Sequence, residues 1–160
     1  MADPRLEALE KRVQVLEDQE GIRECLARYG FNADLGRSQE YVDNYVKDGA
    51  IDLGPTTKYV GHDQLLYDFI TGKGHKSLEN HCLHTVCNLF IRVDGSSGWA
   101  EGYSIVFLKQ GEGYVPYTCG YNHWDFEKRG SRWFLKYRYR RPVGGDEWGG
   151  KVIRAYLKET

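Results

Sequence analysis

Tyr29, Asp34 and His84 are the residues whose types could do chemistry together. A carboxylate beside an imidazole in an apolar pocket is a proton-transfer pair. The carboxylate fixes the ring tautomer and stabilises the imidazolium once the ring has taken a proton. Tyr29 and Asp34 sit at the end of the first long helical stretch, and His84 opens the run His84-Thr85-Val86-Cys87-Asn88. A phenol near such a pair can donate to a departing oxygen or hold an enolate. Taken singly, Asp34 also reads as a loop aspartate serving the turn at Gly36, and His84 as a half-buried strand histidine. Catalysis requires that the three meet.

Other chemistries are thinner. There is no Walker loop, no complete dinucleotide fingerprint, no nucleophile elbow and no H-E-x-x-H, so the default for an enzyme is a reaction without cofactor. His81 and His84, three apart on one strand, point to opposite faces. His123 and Asp125 share a strand face, but two ligands fall short of the three or four that a zinc site needs; no metal is expected. The last strand alternates Lys136, Arg138 and Arg140 against Leu135, Tyr137 and Tyr139. Either the aromatic face lies on the core, or Arg138 turns inward as an oxyanion anchor. The interleaved basic and aromatic residues also suit nucleic acid. A net charge of −1, from 22 basic and 23 acidic residues, argues against that partner and against an anionic membrane.

The elements that must position these residues follow from periodicity. Leu6, Leu9, Val13 and Leu16 recur at helical spacing, as an arm that packs on its own domain or on a neighbouring subunit. The pattern resumes over 19–33, with Ile22, Leu26 and Tyr29 on one stripe, and Gly36 breaks it. A short helix is expected at about 38–47, two short strands around Gly54-Pro55, and a helix over 64–71 followed by a loop tip at 72–75. Long strands follow at 84–93, 99–110, 114–128 and 132–141, separated by Gly-bearing turns. Helices first and an antiparallel meander afterwards give an α+β fold with segregated layers, whose curled sheet encloses a pocket. Residues 144–150 read as a flexible exit, and 151–157 as a last strand or short helix.

Length and composition bound the rest. The chain of 160 residues is one domain, able to bury a core and a cavity. Twelve Tyr and four Trp against one Met suit a greasy but hydrogen-bonding pocket, or simply a β-rich protein. Four cysteines without C-x-x-C spacing, behind a charged N-terminus, read as free thiols in the cytoplasm. No apolar run reaches membrane-spanning length.

Arg5-Leu-Glu-Ala-Leu-Glu-Lys, the run from Ile22 through Tyr29 to Asp34, and His84-x-x-x-Asn88-x-x-Ile91 resemble the SnoaL-like division of the nuclear-transport-factor-2-like superfamily. Ala100-x-Gly102 and the segment 126–133 continue the likeness, which covers about residues 5–141. Within that superfamily the sequence is similar to cofactor-independent lyases: scytalone dehydratase, bile acid 7α-dehydratase and hexachlorocyclohexane dehydrochlorinase.

The resemblance implies a cone-shaped α+β barrel, a homo-oligomer with trimer favoured over dimer, and an Asp–His dyad inside. The chain then divides into a helical arm over 1–20, read from its periodicity, a catalytic domain over 21–143, and a tail over 144–160 that has no counterpart in the family. By the likeness His84 is the general base, Asp34 its partner, Tyr29 the group facing the leaving atom, and Arg138 the final-strand arginine. Lys58 and Tyr59 would add polar groups to the pocket. Tyr103 lies on a strand that usually lines it, as does Glu101. Phe31, Tyr45, Phe69, Phe107, Tyr117 and Tyr121 are candidate walls. The activity implied is a lyase reaction, dehydration or loss of another small fragment, on a bulky hydrophobic, aromatic or polycyclic small molecule. The alternatives are an isomerase or cyclase, and a ligand-binding or structural subunit without chemistry; fold alone does not choose among them.

Overall fold

A computed structural model describes residues 3–144. It begins with α1, Pro4–Asp34, an unbroken helix of 31 residues. Asp3 caps it, its carboxylate accepting from Arg5 N at 2.9 Å, and Pro4 occupies the first turn, where its missing N–H leaves nothing unpaired. Gly36, with φ +64°, ends it in the left-handed region that glycine enters without strain. The first half of α1 is exposed, including Leu6, Leu9, Val13 and Leu16, so this arm does not lie on its own domain. The buried stripe begins at Asp18 and runs through Ile22, Cys25, Leu26, Tyr29, Gly30 and Ala33. Asp18 anchors it across the sheet, accepting from Lys128 Nζ at 2.5 Å and from Trp133 Nε1 at 3.1 Å.

Short α2, Ser38–Val42, leads into β1, Tyr45–Gly54, and β2, Thr57–Val60. The expected helix to about 47 is cut short: Tyr45 pairs with Leu135 and joins the sheet instead. After β2 come α3, Gly61–Asp63, a π-helical segment Gln64–Ile70, and α4, Lys73–Lys76, where a bare loop tip was expected. Four long strands complete the sheet: β3, Cys82–Asp94; β4, Ser97–Gln110; β5, Gly113–Arg129; and β6, Arg132–Pro142. The segment beyond Gly144, including the expected exit and terminal element, lies outside the described residues.

The six strands are ordered β2-β1-β6-β5-β4-β3 in one curved, unclosed sheet, with α1 packed across its inner face. All pairings are antiparallel except β1 with β6, which is parallel. This departs from a purely antiparallel meander: β6, at the end of the meander, receives β1 on its free edge. The core between sheet and helices holds Ile22, Leu26, Tyr41, Leu65, Trp124, Trp133 and Leu135, each at most 1–2% exposed. Each such aliphatic or aromatic side chain contributes on the order of 1.5–3 kcal/mol by leaving water.

Two bulges set which side chains enter this interior. In β3 the pairing slips between Cys87 and Phe90, with Asn88 at φ +52°. In β6, Tyr137 pairs with Asp125 and Leu135 with Phe126, so Lys136 is an extra residue that re-phases the strand. Leu135 and Arg138 therefore both point inward, while Tyr137 and Tyr139 face out.

Candidate active site

Asp34 is the last residue of α1, where the helix ends against the start of β3. Its Oδ1 lies 2.6 Å from His84 Nδ1 and accepts from the His84 backbone N–H at 2.9 Å. Its Oδ2 is 3.1 Å from the same backbone nitrogen. Ring and main chain of His84 are thus held by one carboxylate at two points. An ionised carboxylate only accepts, so Nδ1 carries the proton and Nε2 presents a lone pair. The side chains are 9% and 17% exposed, which keeps the pair largely out of water.

Cys82 shares the His84 face of β3, two residues earlier. Its thiol donates to Asp34 Oδ1 at 3.5 Å. Burial, and then the Asp34 charge, push it up to about 12, so it is a thiol and not a nucleophile at neutral pH. Asp34→Asn removes that charge, and alkylation of Cys82 by iodoacetamide at pH 8 then accelerates about tenfold for each unit its pKa falls. Peptide-resolved mass spectrometry, with exposed Cys119 as the internal standard, reads this without any substrate. Unchanged Cys82 reactivity would show that Asp34 does not set the local field.

Asp34, Cys82 and His84 are also the set of potential metal ligands brought together among the described residues. Tetrahedral zinc with bonds near 2.0–2.2 Å spaces oxygen and nitrogen ligands about 3.3 Å apart. At 2.6 Å the Asp34 and His84 atoms stand closer than that, at hydrogen-bond distance. The 2.6 Å spacing is that of a hydrogen-bonded proton-transfer pair.

Tyr29 faces His84 edge-on, ring centres 6.3 Å apart. Its hydroxyl accepts from Arg138 Nη1 at 2.5 Å, so its own proton remains to be donated. Arg138 is 5% exposed. Its Nε donates to Asn122 Oδ1 at 3.0 Å and its Nη2 to Ser104 Oγ at 3.5 Å. Asn122 Nδ2 in turn donates to Ser104 Oγ at 2.9 Å and to the Gly120 carbonyl at 3.0 Å. These partners are all neutral. A guanidinium out of water, with no carboxylate against it among the described residues, is electrostatically prepared for negative charge arriving beside it.

Ser104 and Asn122 were not anticipated. The signal was alternation: Asn122 lies two residues before Trp124 and four before Phe126, on the core face of β5. Nor was His75, on α4. Its ring stacks on His84 with centres 5.5 Å apart and planes 4° apart, and it meets Phe69 edge-on at 5.1 Å. Burial, and after it the neighbouring His84 and Arg138, push His75 down to about 4, so it is neutral at neutral pH.

The other candidates are distributed unevenly. Phe31, 64% exposed, is at the rim of a cavity of about 190 Å³ lined also by Leu26, Tyr29, His84 and Ser104. Tyr59 and Tyr117 line a second cavity of about 260 Å³ with Phe69, Lys73 and His75. Tyr45 is core, its hydroxyl 3.4 Å from that of Tyr41. Three residues are corrections. Tyr103 and Tyr121 are paired across β4 and β5 on the face opposite Ser104 and Asn122, where Tyr121 is nonetheless buried, so neither shares the face that carries Arg138's partners. Lys58 is exposed and lies over the Tyr137 ring at 5.5 Å, also outside.

Glu101 joins that outer face. His123 is held there between Glu101 and Asp125, at 3.2 Å from each, and stacks on Trp99. Burial acts to lower its pKa, but hydrogen bonds to Asp125 and Glu101 outweigh it and raise it from 6.5 to about 9. The stabilisation is complete below the unfolded value and is lost as pH rises through about 9. Thermal melts of His123→Gln and of the parent chain should therefore differ most near pH 6 and converge above pH 9. A larger concavity of about 510 Å³, bordered by Arg92, Trp99, Asp125 and Tyr137, lies away from the dyad. Volume favours it, but the oriented acid–base pair is elsewhere, and the chemistry decides.

A SnoaL-like domain model matches residues 14–139, and the chain belongs to that family. Its fold is that of the nuclear-transport-factor-2-like superfamily, which includes dehydratases and isomerases. Among solved structures, an NTF2-like protein with a cystatin-like fold from Novosphingobium aromaticivorans is 26% identical, with TM-score 0.82, covering 96% of this chain and 98% of that one. A chain from the same organism provisionally named a scytalone dehydratase is 15% identical with TM-score 0.68, covering 80% and 85%. A cystatin-like protein of unknown function from Nostoc punctiforme is 18% identical with TM-score 0.66, covering 80% and 92%. No curated protein matches. Among the described residues no helix is long and apolar enough to cross a membrane.

Proposed function

We propose that this chain is a cofactor-independent lyase of the dehydratase type, acting on a hydrophobic aromatic or polycyclic small molecule. The observation that carries the reading is the Asp34–His84 contact of 2.6 Å, which leaves His84 Nε2 as an oriented base beside a cavity. His84 takes a proton from the substrate, and Asp34 stabilises the imidazolium. Tyr29 donates to the departing oxygen, and Arg138, through Tyr29, lowers the cost of the charge that develops there. An oriented acid or base contributes about 10²–10⁴-fold and one preorganised donor about 3–4 kcal/mol. Together these suffice for elimination from an activated substrate and fall short of amide hydrolysis.

The test is a mass-spectrometric screen of aromatic and steroid-like alcohols incubated with the purified chain in deuterated water. Loss of water or of another small fragment, abolished in His84→Ala, supports the lyase. Deuterium incorporation without mass loss would replace it by an isomerase. Turnover that survives in His84→Ala would remove His84 as the base.

A further inference from the structure

The projecting half of α1 leaves an apolar stripe bare. Leu6, Leu9, Val13 and Leu16 are each 50–64% exposed among the described residues, on a stretch where no residue from Pro4 to Glu17 is buried. Such a stripe on a polar helix marks a surface that another element covers. Successive helical residues turn by about 100°, which sets this stripe about half a turn from the buried one that begins at Asp18. The sheet that α1 packs on therefore lies behind it, and the stripe is open to a second chain.

Spacing and charge identify that chain. Leu6 and Val13 are seven apart, as are Leu9 and Leu16, and the alternating steps of three and four make them the a and d positions of two heptads. The flanking positions are then Arg5 and Arg12 at g, and Glu10 and Glu17 at e. In a parallel, in-register pair each g faces the e five residues on in its partner. Arg5 then meets the partner's Glu10, and Arg12 the partner's Glu17, twice over by symmetry. An antiparallel pair would set arginine against arginine and glutamate against glutamate. None of the four has an opposite charge three or four residues away on its own helix, and none makes an ion pair with another described residue. Farther along, where α1 is docked, Arg23 pairs with Glu20 and Arg28 with Glu24 within the helix.

The seam ends at Leu16: the next a position is Glu20, and at Asp18 the helix joins its own sheet. Two heptads of free peptide would not hold together, because starting a helix is unfavourable. Here the arm continues a helix whose Ile22 and Leu26 are buried, so that step is already made. We propose that residues 5–17 pair with the same segment of a second copy as a parallel, two-stranded coiled coil, with the two domains on opposite sides of the seam. Val13 at a with leucine at d favours two strands. The pairing is independent of the chemistry proposed at Asp34 and His84.

Disulfide exchange at equilibrium tests it. The full chain carrying Leu16→Cys, at a d position, is equilibrated in a glutathione redox buffer, digested with trypsin and mapped by mass spectrometry. The change falls in the tryptic peptide 13–23, which holds no native cysteine. That peptide should be recovered linked to itself, whereas Lys11→Cys, at f on the far side of the helix, should self-link about tenfold less. Adding Arg12→Glu to the Leu16→Cys chain sets like charges opposite and should cut self-linkage about fivefold, and adding Glu17→Arg as well should restore it. Each substituted side chain is exposed, so circular dichroism should show the fold unchanged. Self-linkage of the Lys11→Cys chain equal to that of Leu16→Cys, or a charge reversal that leaves the yield unchanged or raises it, would overturn the parallel pair. So would failure of Leu16→Cys to link, the result expected if residues 145–160 or a different protein cover the stripe.

Discussion

Asp34→Asn should lower turnover of the substrate found by screening about 10²–10⁴-fold, the range of a positioned general base, while the protein stays folded. The amide preserves volume but cannot play the same part. Asp34 accepts from both Nδ1 and the backbone N–H of His84, whereas an asparagine has one accepting oxygen and a donating NH₂. With the NH₂ toward the ring, Nδ1 must accept and the proton moves to Nε2, where the substrate is to be deprotonated. The lesion is thus one of tautomer, so kcat falls and KM moves little. His84→Ala should be equally slow, and the double variant no slower than either single one, because the two residues act as a unit. Circular dichroism and thermal melts check the fold. Additive losses in the double variant would dissolve the pair.

The second large effect is expected at Arg138. Arg138→Met should reduce turnover about 10²–10³-fold, the loss seen when one preorganised donor to developing charge is removed. It also orphans acceptors: Tyr29 Oη and Asn122 Oδ1 each lose a buried donor, at about 1–3 kcal/mol apiece, so the melting temperature falls as well. Arg138→Lys separates the two. An ammonium restores a positive charge but cannot fork to both Tyr29 and Asn122. It should recover part of the stability and less than tenfold of the rate. Full recovery by lysine would mean that charge alone matters and that the fork to Tyr29 is incidental.

How far the molecule was legible in its sequence depended on whether a pattern ran unbroken. The stripe Ile22, Leu26, Tyr29 marked the buried face of α1 because helical period and burial coincide there. The four long strands were legible from their Gly-bearing turns to within about three residues. Asp34 and His84 could be paired only through family likeness, since nothing in their spacing brings a helix end to a strand start. Faces were lost where a bulge intervened. Alternation in β6 puts Leu135 opposite Arg138, and the extra residue at Lys136 puts them together. Tyr103 and Tyr121 were attractive as pocket walls by type, yet a period-two count from Trp124 places Tyr121, and its pair Tyr103, on the opposite face of the sheet. His75 was invisible. Flanked by lysines and glycines it reads as solvent, and its burial comes entirely from packing contributed by Phe69, Tyr41 and His84.

The parallel seam between β1 and β6 also dictates an order of events as the chain acquires its shape. Tyr45 finds its partner at Leu135, whereas each meander hairpin closes over a handful of residues. Nearby pairings form before distant ones, since long loops are entropically slow to close. On the ribosome, Tyr45–Gly54 must wait unpaired on one side until β6 has emerged. That interval, with an apolar strand bare, is when this protein is most exposed to aggregation and most in need of a chaperone.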